Sequence, residues 1–533
     1  MSEAFDQVIA YHLRTKHQPH AMARGPARMD WANQPNPFRS YEGAPNIPLE
    51  RLGLIASGNG ISGPSPLNMK NLSRLFFESL ALSGQKSLAG SKWHLRVNPS
   101  GGNLHPTEGY LIAGHMEGLE GSPGVYHYAP KVHALELLAT VNGWQSLGLP
   151  GGTLLVGLTS IYWRESWKYG ERAYRYCMID LGHAVAAVTI AAHCLGWTAA
   201  LWDDLGRDDL AGLLGIGTDP AKGMATRESF LKSSSEEELP DVLLAVFSDG
   251  KTHRESLDLA GLSTMDLQTR PVRPNTLSPE HIPWPEIDLV SEATKKPPTT
   301  DVYAGFSSTR DQMPSEFCRI LRKRRSAQAM DGKTPMQRES FHAILEAALP
   351  KELPSGLLPW RPYIHPVIFV HRVEDLERGL YILLRDPRQK ESLRAAMKMD
   401  FVWEKPSRTP EGLELYLLAQ GDGRLAARET SCRQSIASDG CFAVAMIAEL
   451  EGPLHEFGAW FYSRLHWECG MIGQAFYLAS EAAGFQGCGI GCFFDDMVHR
   501  MLGLTGQKYQ DLYHFTVGRA EIDPRLIDLP AYE

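Results

Sequence analysis

The most informative stretch of this sequence is Arg96-Val97-Asn98-Pro99-Ser100-Gly101-Gly102-Asn103-Leu104-His105-Pro106-Thr107-Glu108-Gly109-Tyr110. Its Pro-Ser-Gly-Gly-Asn turn has two consecutive residues without a Cβ atom, so main-chain N–H groups and the Ser and Asn side chains can approach a flat or anionic ligand closely. The turn therefore predicts one wall of a ligand site. An ordinary turn before the apolar strand Tyr110-Leu111-Ile112-Ala113 is the alternative, because Gly and Asn are common turn residues.

Three further blocks favour the ligand site. They are Gly124-Val125-Tyr126-His127-Tyr128, Trp167-Lys168-Tyr169-Gly170-Glu171-Arg172-Ala173-Tyr174-Arg175-Tyr176 and Asp180-Leu181-Gly182-His183. In this order after the glycine-rich turn, they resemble the SagB-type dehydrogenases of the FMN-dependent nitroreductase superfamily, which include the thiazoline and oxazoline oxidases of modified-peptide pathways. The resemblance implies an α+β fold, with a central mixed or antiparallel sheet flanked by helices, and FMN as cofactor.

Length and charge bound the number of domains and the partners. With 533 residues, of which 43% are hydrophobic, the chain is long enough for two cores. Its net charge of -9 argues against a general binder of nucleic acid or of anionic membranes, because both rely on clustered positive charge. We therefore expect no nucleic-acid partner and no membrane partner.

The sequence also indicates the compartment. No apolar run approaches the roughly 20 residues that span a bilayer, and the first six residues lack the basic and apolar segments of a signal peptide. Eight cysteines in so long a chain do not suggest a disulfide framework, and these features together predict a cytoplasmic protein. Cys488 and Cys492 have no second pair at zinc spacing, so we expect plain buried thiols and no metal site.

The chain is predicted to contain two copies of one fold. Several residues of the first half recur in the second half, always 288 positions later. Tyr174, Gly182, Gly196-Trp197 and Leu214-Gly215 correspond to Tyr462, Gly470, Gly484-Phe485 and Leu502-Gly503. For example, 484 − 196 and 503 − 215 both give 288. A repeat of this length indicates a duplicated domain. We predict a wrapping leader over 1–50, a first domain over 51–263, a Pro-rich linker over 264–313 and a second domain over 314–533, fused as an intrachain pseudo-dimer.

Hydrophobic spacing predicts the elements of the first half. The helices are expected over 67–82, 174–195 and 205–214, and the strands over 110–113, 153–159, 197–201 and 241–247. A solvated loop is expected over 233–238. The Pro-rich leader is too irregular to predict a long helix, and the linker shows neither a helical nor a strand period.

The resemblance implies that FMN binds between two copies, with a Pro-Ser-x-x-Asn wall from one and phosphate ligands from the other. The cofactor contacts predicted in the first half are Arg96, Pro99, Ser100, Gly101 and Asn103. At the matching place the second half has Pro359-Trp360-Arg361-Pro362-Tyr363-Ile364-His365-Pro366, which keeps the flanking prolines and His but has lost Ser, both Gly and Asn. Large side chains would fill the space that glycine leaves open, so one wall is expected to survive.

The predicted phosphate ligands show the opposite asymmetry. Arg322-Lys323-Arg324-Arg325-Ser326-Ala327-Gln328 resembles the superfamily's Arg-x-Ser-x-Arg/Lys grip, with Gln328 standing where the family has Arg or Lys. A guanidinium and a hydroxyl near a helix start suit a phosphate dianion, and a solvated helix start is the alternative. The first half has only Leu52-Gly53-Leu54-Ile55-Ala56-Ser57-Gly58 in that region. The cofactor contacts predicted in the second half are Arg324, Ser326, Gln328, Gly487, Gly489, Ile490, Gly491, Arg519 and Arg525.

Lys168 and Tyr169 are the predicted catalytic residues, because SagB-type enzymes resemble one another in a Lys-Tyr pair at this place. Desaturation of a C–N or C–C bond removes one proton while a hydride leaves for flavin N5, and a lysine whose pKa is depressed by burial or by nearby cations can act as the base. The repeat has Glu456 and Phe457 instead. Lys168 could also anchor an anionic substrate, or pair structurally with Glu165 or Glu171.

These inferences predict an FMN-dependent oxidoreductase that desaturates an azoline-like heterocycle or a related amine or peptide-derived substrate. An NAD(P)H-dependent nitro or quinone reductase would use the same cofactor and is the first alternative. A non-catalytic partner subunit that binds flavin or peptide is the second, since one of the two predicted flavin sites has been lost. The expected partner is a small-molecule or peptide-derived substrate.

Overall fold

The computed structural model describes residues 2–51, 63–216, 236–252, 265–300, 303 and 313–532. The chain divides into two compact units, which we call the N-unit (Gly25–Ala304 with Asp528–Glu533) and the C-unit (Met1–Arg24 with Gly305–Ile527). The stretch 52–58 and the first half of the predicted 233–238 loop, residues 233–235, lie outside the described residues, and β10 already begins at Glu238. The leader predicted over 1–50 is shared between the two units.

The elements are numbered in chain order. The helices are α1 Glu3–Arg14, α2 Met69–Phe77, α3 Tyr162–Tyr169, α4 Ala173–Cys194, α5 Arg207–Leu214, α6 Pro285–Ala293, α7 Glu316–Ile320, α8 Arg338–Glu346, α9 Lys390–Ala396, α10 Arg424–Thr430, α11 Ile436–Asp439, α12 Glu451–Phe457, α13 Phe461–Ala482 and α14 Asp495–Leu502. The strands are β1 Tyr41–Glu42, β2 Asn46–Pro48, β3 Leu82–Leu88, β4 Ser91–Arg96, β5 Thr107–Ala113, β6 Gly124–Ala129, β7 Ala134–Asn142, β8 Thr153–Ile161, β9 Thr198–Leu201, β10 Glu238–Phe247, β11 Asp266–Thr269, β12 Arg273–Pro274, β13 Ile364–Val370, β14 Gly379–Leu383, β15 Leu415–Gln420, β16 Phe442–Glu449, β17 Gln486–Ile490, β18 Tyr509–Gly518 and β19 Ile527–Leu529.

The N-unit is built on an antiparallel sheet in the order β11-β7-β6-β5-β8-β10-β9, and β2 also pairs with β7. Strands β5 and β8 are buried along their whole length, which explains why they are continuous apolar runs rather than alternating ones. Every residue of α4 except His193 is buried. A helix that is apolar all round belongs in a core, and α4 packs along β8, β9 and β5.

The C-unit repeats this plan with an antiparallel sheet in the order β15-β14-β13-β16-β18-β17 and the buried helix α13. Helices α4 and α13 begin and end at the same offset, since 461 − 173 and 482 − 194 both give 288, and α5 and α14 share it. Strands β8, β10 and β9 occupy the same relative places as β16, β18 and β17. The predicted duplicated α+β fold is confirmed, and the pairing of the two copies as a pseudo-dimer stays a prediction.

The strand register corrects the correspondence that we predicted between the two walls. Thr107 pairs with Ser160 near the end of β8, and Ile364 pairs with Ala448 near the end of β16. Ser160 and Ala448 are equivalent at the repeat offset, since 448 − 160 is 288, so Thr107 corresponds to Ile364 and 364 − 107 gives an offset of 257. Aligning the His-Pro pairs of the two walls gave an offset of 260 and was wrong by three positions, because the connection before the strand differs in length between the copies.

The first residues of the leader form a helix that sequence reasoning missed. Helix α1 is capped by the Ser2 hydroxyl, which accepts from the Phe5 N–H at 3.3 Å. Phe5 stacks on His455 with ring centroids 4.5 Å apart, and His12 bonds the Tyr462 hydroxyl on α13 at 3.0 Å. The expectation that the leader is too irregular for a long helix was wrong for this part, because an amphipathic helix before the Pro-rich segment docks on the C-unit core.

The segment over 264–313, predicted as a linker, also carries regular structure. Strand β11 extends the N-unit sheet beside β7, and α6 packs on α4, where Thr294 Oγ1 lies 2.7 Å from the Tyr174 hydroxyl. Residues 301–302 and 304–312 lie outside the described residues. Proline at the first turn of α6 is compatible with a helix start, which is why the density of prolines misled the prediction.

The length of one apolar helical run was underestimated from the sequence. Tyr162–Cys194 is long and apolar enough to cross a membrane by length and composition, contrary to our sequence prediction. However, 94% of its most apolar window is buried inside the protein. The run is therefore the core of the N-unit.

A charged cluster is buried beneath the N-unit sheet. Glu108 on β5 lies 2.5 Å from Arg164 Nη1 and 3.2 Å from His127 Nε2, and Glu136 lies 2.8 Å from His127 Nδ1. Burial alone would lower the pKa of His127, but hydrogen bonds to the two glutamates outweigh it and raise that pKa to about 9. His127 is therefore a buried imidazolium at neutral pH.

We expect the stability of the N-unit to fall between pH 6.5 and 9. Because the His127 pKa is higher in the folded than in the unfolded chain, the proton stabilises the fold fully below about pH 6.5 and is lost as pH rises through about 9, a contribution of at most about 3 kcal/mol. Urea unfolding at both pH values measures this loss. His127→Gln should be less stable at pH 6.5 and show a flatter pH dependence, and equal slopes for both proteins would contradict the assignment.

Candidate functional site

The glycine-rich turn is a short 3-10 turn, Gly101–Asn103, between β4 and β5. Gly102 has a φ of +63° and is exposed, so the position favours glycine. The Asn103 side chain holds the turn: its Nδ2 donates to the His94 carbonyl at 2.8 Å, and its Oδ1 lies 3.0 Å from His105 Nε2. The amide is therefore used inside the protein, and the turn offers main-chain groups rather than the Asn103 side chain.

Lys168 and Tyr169 end helix α3 beside this turn. A Cβ atom on Gly102 would lie 2.6 Å from the Tyr169 hydroxyl and 3.0 Å from Lys168 Nζ. The structure thus brings together the wall and both predicted catalytic residues. The resemblance had assigned the turn, Lys168 and Tyr169 to one site. The structure of the N-unit alone shows that these groups lie close together.

The Lys-Tyr pair is supported by neighbouring rings and by a helix end. Gly170, with a φ of +56°, terminates α3, and the Tyr169 ring stacks on Tyr176 with centroids 4.4 Å apart. Lys168 Nζ lies 5.2 Å from the Tyr169 ring centroid. Within the described part of the chain no ion pair within 4.0 Å joins Lys168 to Glu165, but the charge of Lys168 acts to lower the pKa of the Glu165 carboxyl. The alternative of a structural pairing with Glu165 or Glu171 therefore stays a prediction.

Two carboxyl groups lie behind the turn, and sequence reasoning missed their role. The Gly101 N–H donates to Asp180 Oδ1 at 3.0 Å and to Oδ2 at 3.1 Å. The Ser100 hydroxyl donates to Glu165 Oε1 at 3.3 Å and accepts from the His105 N–H at 2.8 Å. Asp180 belonged to a sequence block that carried the resemblance, but no local pattern indicated that it holds the turn.

The predicted phosphate grip of the C-unit is also assembled. Arg324 is buried, its guanidinium lies 4.8 Å from the Tyr477 ring centroid, and its Nη1 lies 3.4 Å from Ser326 Oγ. Tyr477 Oη lies 2.8 Å from Ser326 Oγ and accepts from the Gly489 N–H at 2.9 Å. Tyr477 on α13 therefore links the basic segment to β17, a role that the sequence did not reveal.

The basic segment follows a helix rather than starting one, which corrects the helix start assumed in both interpretations of the sequence, and its phosphate-binding role stays a prediction. It follows α7, and Ser326 forms a parallel bridge with Gly487 on β17. Ala327 N donates to the Gly487 carbonyl at 2.9 Å. The segment is thus held by a strand edge, so no helix dipole contributes to this site.

The glycines of β17 are explained by packing beneath the strand. A Cβ on Gly487 would lie 2.6 Å from the Phe515 ring, and one on Gly489 would overlap the Tyr513 hydroxyl. Ile490 points into the C-unit core and is 3% exposed, so it can offer a ligand only its main chain. Gly491 is partly exposed at the end of the strand.

Four predicted cofactor contacts are not gathered with these groups. Arg96 is buried inside the N-unit, where it donates to the carbonyls of Thr107 (3.1 Å) and Pro37 (2.5 Å). Arg525 is exposed and bonds Asp523 through both Nε and Nη2. These two predictions need correction, because the donors already serve the protein itself. Arg519 is exposed, and its guanidinium carbon Cζ lies 5.5 Å from the centroid of the Phe485 ring. Gln328 is also exposed.

The remaining residues singled out from the sequence are Pro99, Cys488 and Cys492. Pro99 is buried and precedes the turn. Cys492 lies beside Cys432, with sulfur atoms 2.7 Å apart, rather than beside Cys488. Burial raises the pKa of the Cys488 thiol to about 12, so it is inert at neutral pH. In the ranges that the structure describes, no three His, Cys, Asp or Glu side chains are grouped as a metal site requires.

Known proteins share both the sequence pattern and the fold. The nitroreductase family matches residues 321–519. The second half of the chain therefore carries a nitroreductase-family domain. The whole chain shares its fold with a crystal structure of a protein from Anabaena variabilis that is assigned as a nitroreductase, with a TM-score of 0.70, 22% identity, and coverage of 97% of this chain and 99% of that one.

Two curated relatives of this chain are named as processing proteins, one for trifolitoxin and one for microcin B17. The trifolitoxin-processing protein TfxB of Rhizobium leguminosarum bv. trifolii is 30% identical over 148 residues, which are 25% of this chain and 39% of TfxB. The microcin B17-processing protein McbC of Escherichia coli is 27% identical over 170 residues, which are 30% of this chain and 58% of McbC. The chain spans between 39% and 66% of the length of the curated relatives it matches. The superfamily recognised from the sequence is confirmed.

The residues of each unit fit the parts of a flavin mononucleotide. In the C-unit, a buried guanidinium and an exposed hydroxyl 3.4 Å apart are the donor set that a phosphate dianion requires. In the N-unit, Gly102 leaves no room for a Cβ, which would lie 2.6 Å from the Tyr169 hydroxyl and 3.0 Å from Lys168 Nζ, so both side chains lie against the main chain of the turn. Gly102 itself is exposed, and a flat ring can approach an exposed main chain that carries no side chain.

Proposed function

We propose that this protein is an FMN-dependent oxidoreductase that desaturates an azoline-like heterocycle, or a related amine, in a peptide-derived substrate. The observation that carries the proposal is the convergence of an exposed glycine main chain with Lys168 Nζ and the Tyr169 hydroxyl. The names of TfxB and McbC, which process peptides, support the substrate class.

The chemistry assigns distinct roles to the two catalytic side chains. When bound, the isoalloxazine supplies the two-electron acceptor for the reaction. Lys168 Nζ takes the proton from the carbon that becomes unsaturated, and Tyr169 donates a hydrogen bond that orients the heterocycle. Because the ring of Tyr169 is fixed by stacking on Tyr176, its hydroxyl is held in one place for this task.

Each unit offers groups that suit one part of the cofactor. Main-chain atoms of Ser100, Gly101 and Gly102 in the N-unit would suit a flavin ring, and Arg324 and Ser326 in the C-unit would suit a flavin phosphate. Glu456 and Phe457 occupy the places of the Lys-Tyr pair in the repeat, since α3 ends at Tyr169, α12 ends at Phe457, and 457 − 169 is again 288. We therefore expect one catalytic pair and one flavin per chain.

Purified protein with its flavin content measured tests the proposal directly. We expect about one FMN per chain, and we expect azoline-containing peptides to bleach the flavin absorbance without oxygen while azole products form. A colourless protein that does not bind FMN would favour the non-catalytic alternative. Rapid bleaching by NADPH, with none by azoline peptides, would identify a nitro or quinone reductase instead.

A further inference from the structure

Glu165 on α3 and Asp180 on α4 form a buried pair of carboxyl groups behind the glycine-rich turn. Glu165 is 0% exposed and Asp180 is 4% exposed. A Cβ atom on Gly101 would lie 3.6 Å from Glu165 Oε2 and 3.9 Å from Asp180 Oδ1, so both carboxyls approach the same main-chain position. Among the described residues, neither carboxyl forms an ion pair within 4.0 Å.

The hydrogen bonds of this pair require a proton. Asp180 accepts from the Gly101 N–H with both oxygens, and Glu165 Oε1 accepts from the Ser100 hydroxyl. Glu165 Oε2 is buried with no donor group near it. Two adjacent ionised carboxylates in a buried site would repel each other strongly, whereas one proton between them removes a charge and supplies the missing donor.

The second copy of the fold solves the same problem with an arginine. Glu468 on α13 is the equivalent of Asp180, since 468 − 180 is 288, and it likewise accepts main-chain N–H groups at the start of the neighbouring strand, from Tyr363 at 3.2 Å and Ile364 at 3.3 Å. Its charge is neutralised by Arg385, whose Nη1 bonds Glu468 Oε1. The position of Glu165 is occupied by Pro453 in the repeat. In the C-unit, the buried carboxylate is thus neutralised by an arginine, whereas in the N-unit a proton shared by two carboxyl groups would do so.

The surroundings favour retention of that proton. Burial raises the pKa of Asp180 to about 7, and burial together with the charge of Asp180 raises the pKa of Glu165 well above its ordinary value. The charge of Lys168 on α3 acts in the opposite direction on Glu165 and lowers the pKa of that carboxyl, but burial outweighs it. The Cys177 thiol on α4, itself influenced by Asp241 on β10, is the other titratable neighbour, and burial raises its pKa well above the ordinary value. The turn contributes the Ser100 hydroxyl and the Gly101 N–H.

We propose that Glu165 and Asp180 share a proton that positions the Ser100–Gly101 main chain, and that removal of this proton releases the turn and weakens binding of the flavin ring. The part about flavin rests on the proposed function, whereas the shared proton does not. The two residues are positioning residues, because they act through the turn. Since the folded state binds this proton more tightly than the unfolded chain, the N-unit and its flavin contact should weaken as pH rises.

Infrared spectroscopy of the full chain tests the shared proton without flavin or substrate. We expect a carbonyl stretching band of a buried, protonated carboxylic acid at neutral pH that disappears at alkaline pH. In Glu165→Gln, whose amide can donate in place of the proton, this band should be absent. Asp208→Asn, an exposed carboxyl whose side chain is 78% exposed, is the matched control and should keep the band. A wild-type spectrum without the band at neutral pH would overturn the proposal.

The pH dependence of FMN retention tests the positioning role. Wild-type protein should bind FMN at least about tenfold more weakly at pH 9 than at pH 6.5, because loss of the proton leaves two charges behind the turn. Glu165→Gln should flatten this dependence, and Asp180→Asn, which keeps an acceptor oxygen for the Gly101 N–H, should do the same. Identical profiles for wild type and both variants would refute the role. A protein that shows the infrared band but binds no FMN would refute the proposed function and leave the proton pair standing.

Discussion

Replacing Lys168 by alanine is expected to lower the turnover of azoline substrate by about 10²- to 10⁴-fold while FMN stays bound. The reason is geometric, because Lys168 Nζ lies beside the exposed Gly102 main chain, 3.0 Å from the place that a Cβ of that residue would take. Single-turnover reduction of the flavin by substrate, measured without oxygen, separates this chemical step from product release.

Matched variants separate catalysis from folding. Lys295→Ala removes another lysine of the N-unit, one that pairs with Asp208 at 2.8 Å, and should leave the rate of flavin reduction unchanged. Tyr169→Phe keeps the stacked ring but removes the hydroxyl, so we expect an intermediate loss. An unchanged rate in Lys168→Ala would remove this lysine from the mechanism.

Replacing Arg324 by alanine is expected to raise the Kd for FMN by about 10²-fold, which corresponds to ~3 kcal/mol. The Arg324 guanidinium and the Ser326 hydroxyl are the donor set proposed for the phosphate, and charge-assisted hydrogen bonds from a guanidinium are the stronger kind. Riboflavin lacks the phosphate, so its weaker affinity should change little. Fluorescence titration with FMN and with riboflavin measures both constants.

Arg525→Ala is the matched control for this prediction. Arg525 was also a predicted phosphate contact, but its guanidinium is 77% exposed and already bonded to Asp523. We expect FMN affinity within about twofold of wild type. Equal losses in the two variants would restore Arg525 to the site, and a loss of riboflavin affinity in Arg324→Ala would show that the substitution damages the fold. Arg324→Lys, which keeps the charge without the planar fork, should fall between.

The sequence was sufficient where a local pattern reports the fold. The recurrence of residues at a constant offset is matched by helices α4 and α13, which have identical lengths and the same offset. The run from Tyr174 to Leu195 predicted α4 to within one residue at each end, because a helix that is apolar throughout has few alternatives. The turn before β5 was likewise identifiable from its residue types, whereas the Lys-Tyr pair was predicted by resemblance and its catalytic role stays a prediction.

The rest depended on contacts that no local pattern encodes. Arg96 belongs to the quoted stretch, yet its donors go to carbonyls of Pro37 and Thr107, and only the folded N-unit shows this. The glycines of β17 were interpreted through the ligand, whereas Phe515 and Tyr513 beneath the strand already exclude a Cβ. Register between strands is set by pairing along the sheet, and so the error in aligning the two walls could not be detected in the sequence.

Helix α1 belongs to the C-unit, although the N-unit segment Gly25–Ala304 is synthesised between it and the rest of that unit. His12 and the Tyr462 hydroxyl that it bonds are separated by 450 residues. At roughly 5 to 20 residues per second, the ribosome needs roughly 20 to 90 seconds to bridge that interval. During translation the apolar side chains of α1 therefore stay exposed until the C-unit core is made. Exposed apolar side chains of this kind are binding targets for chaperones that act on the nascent chain.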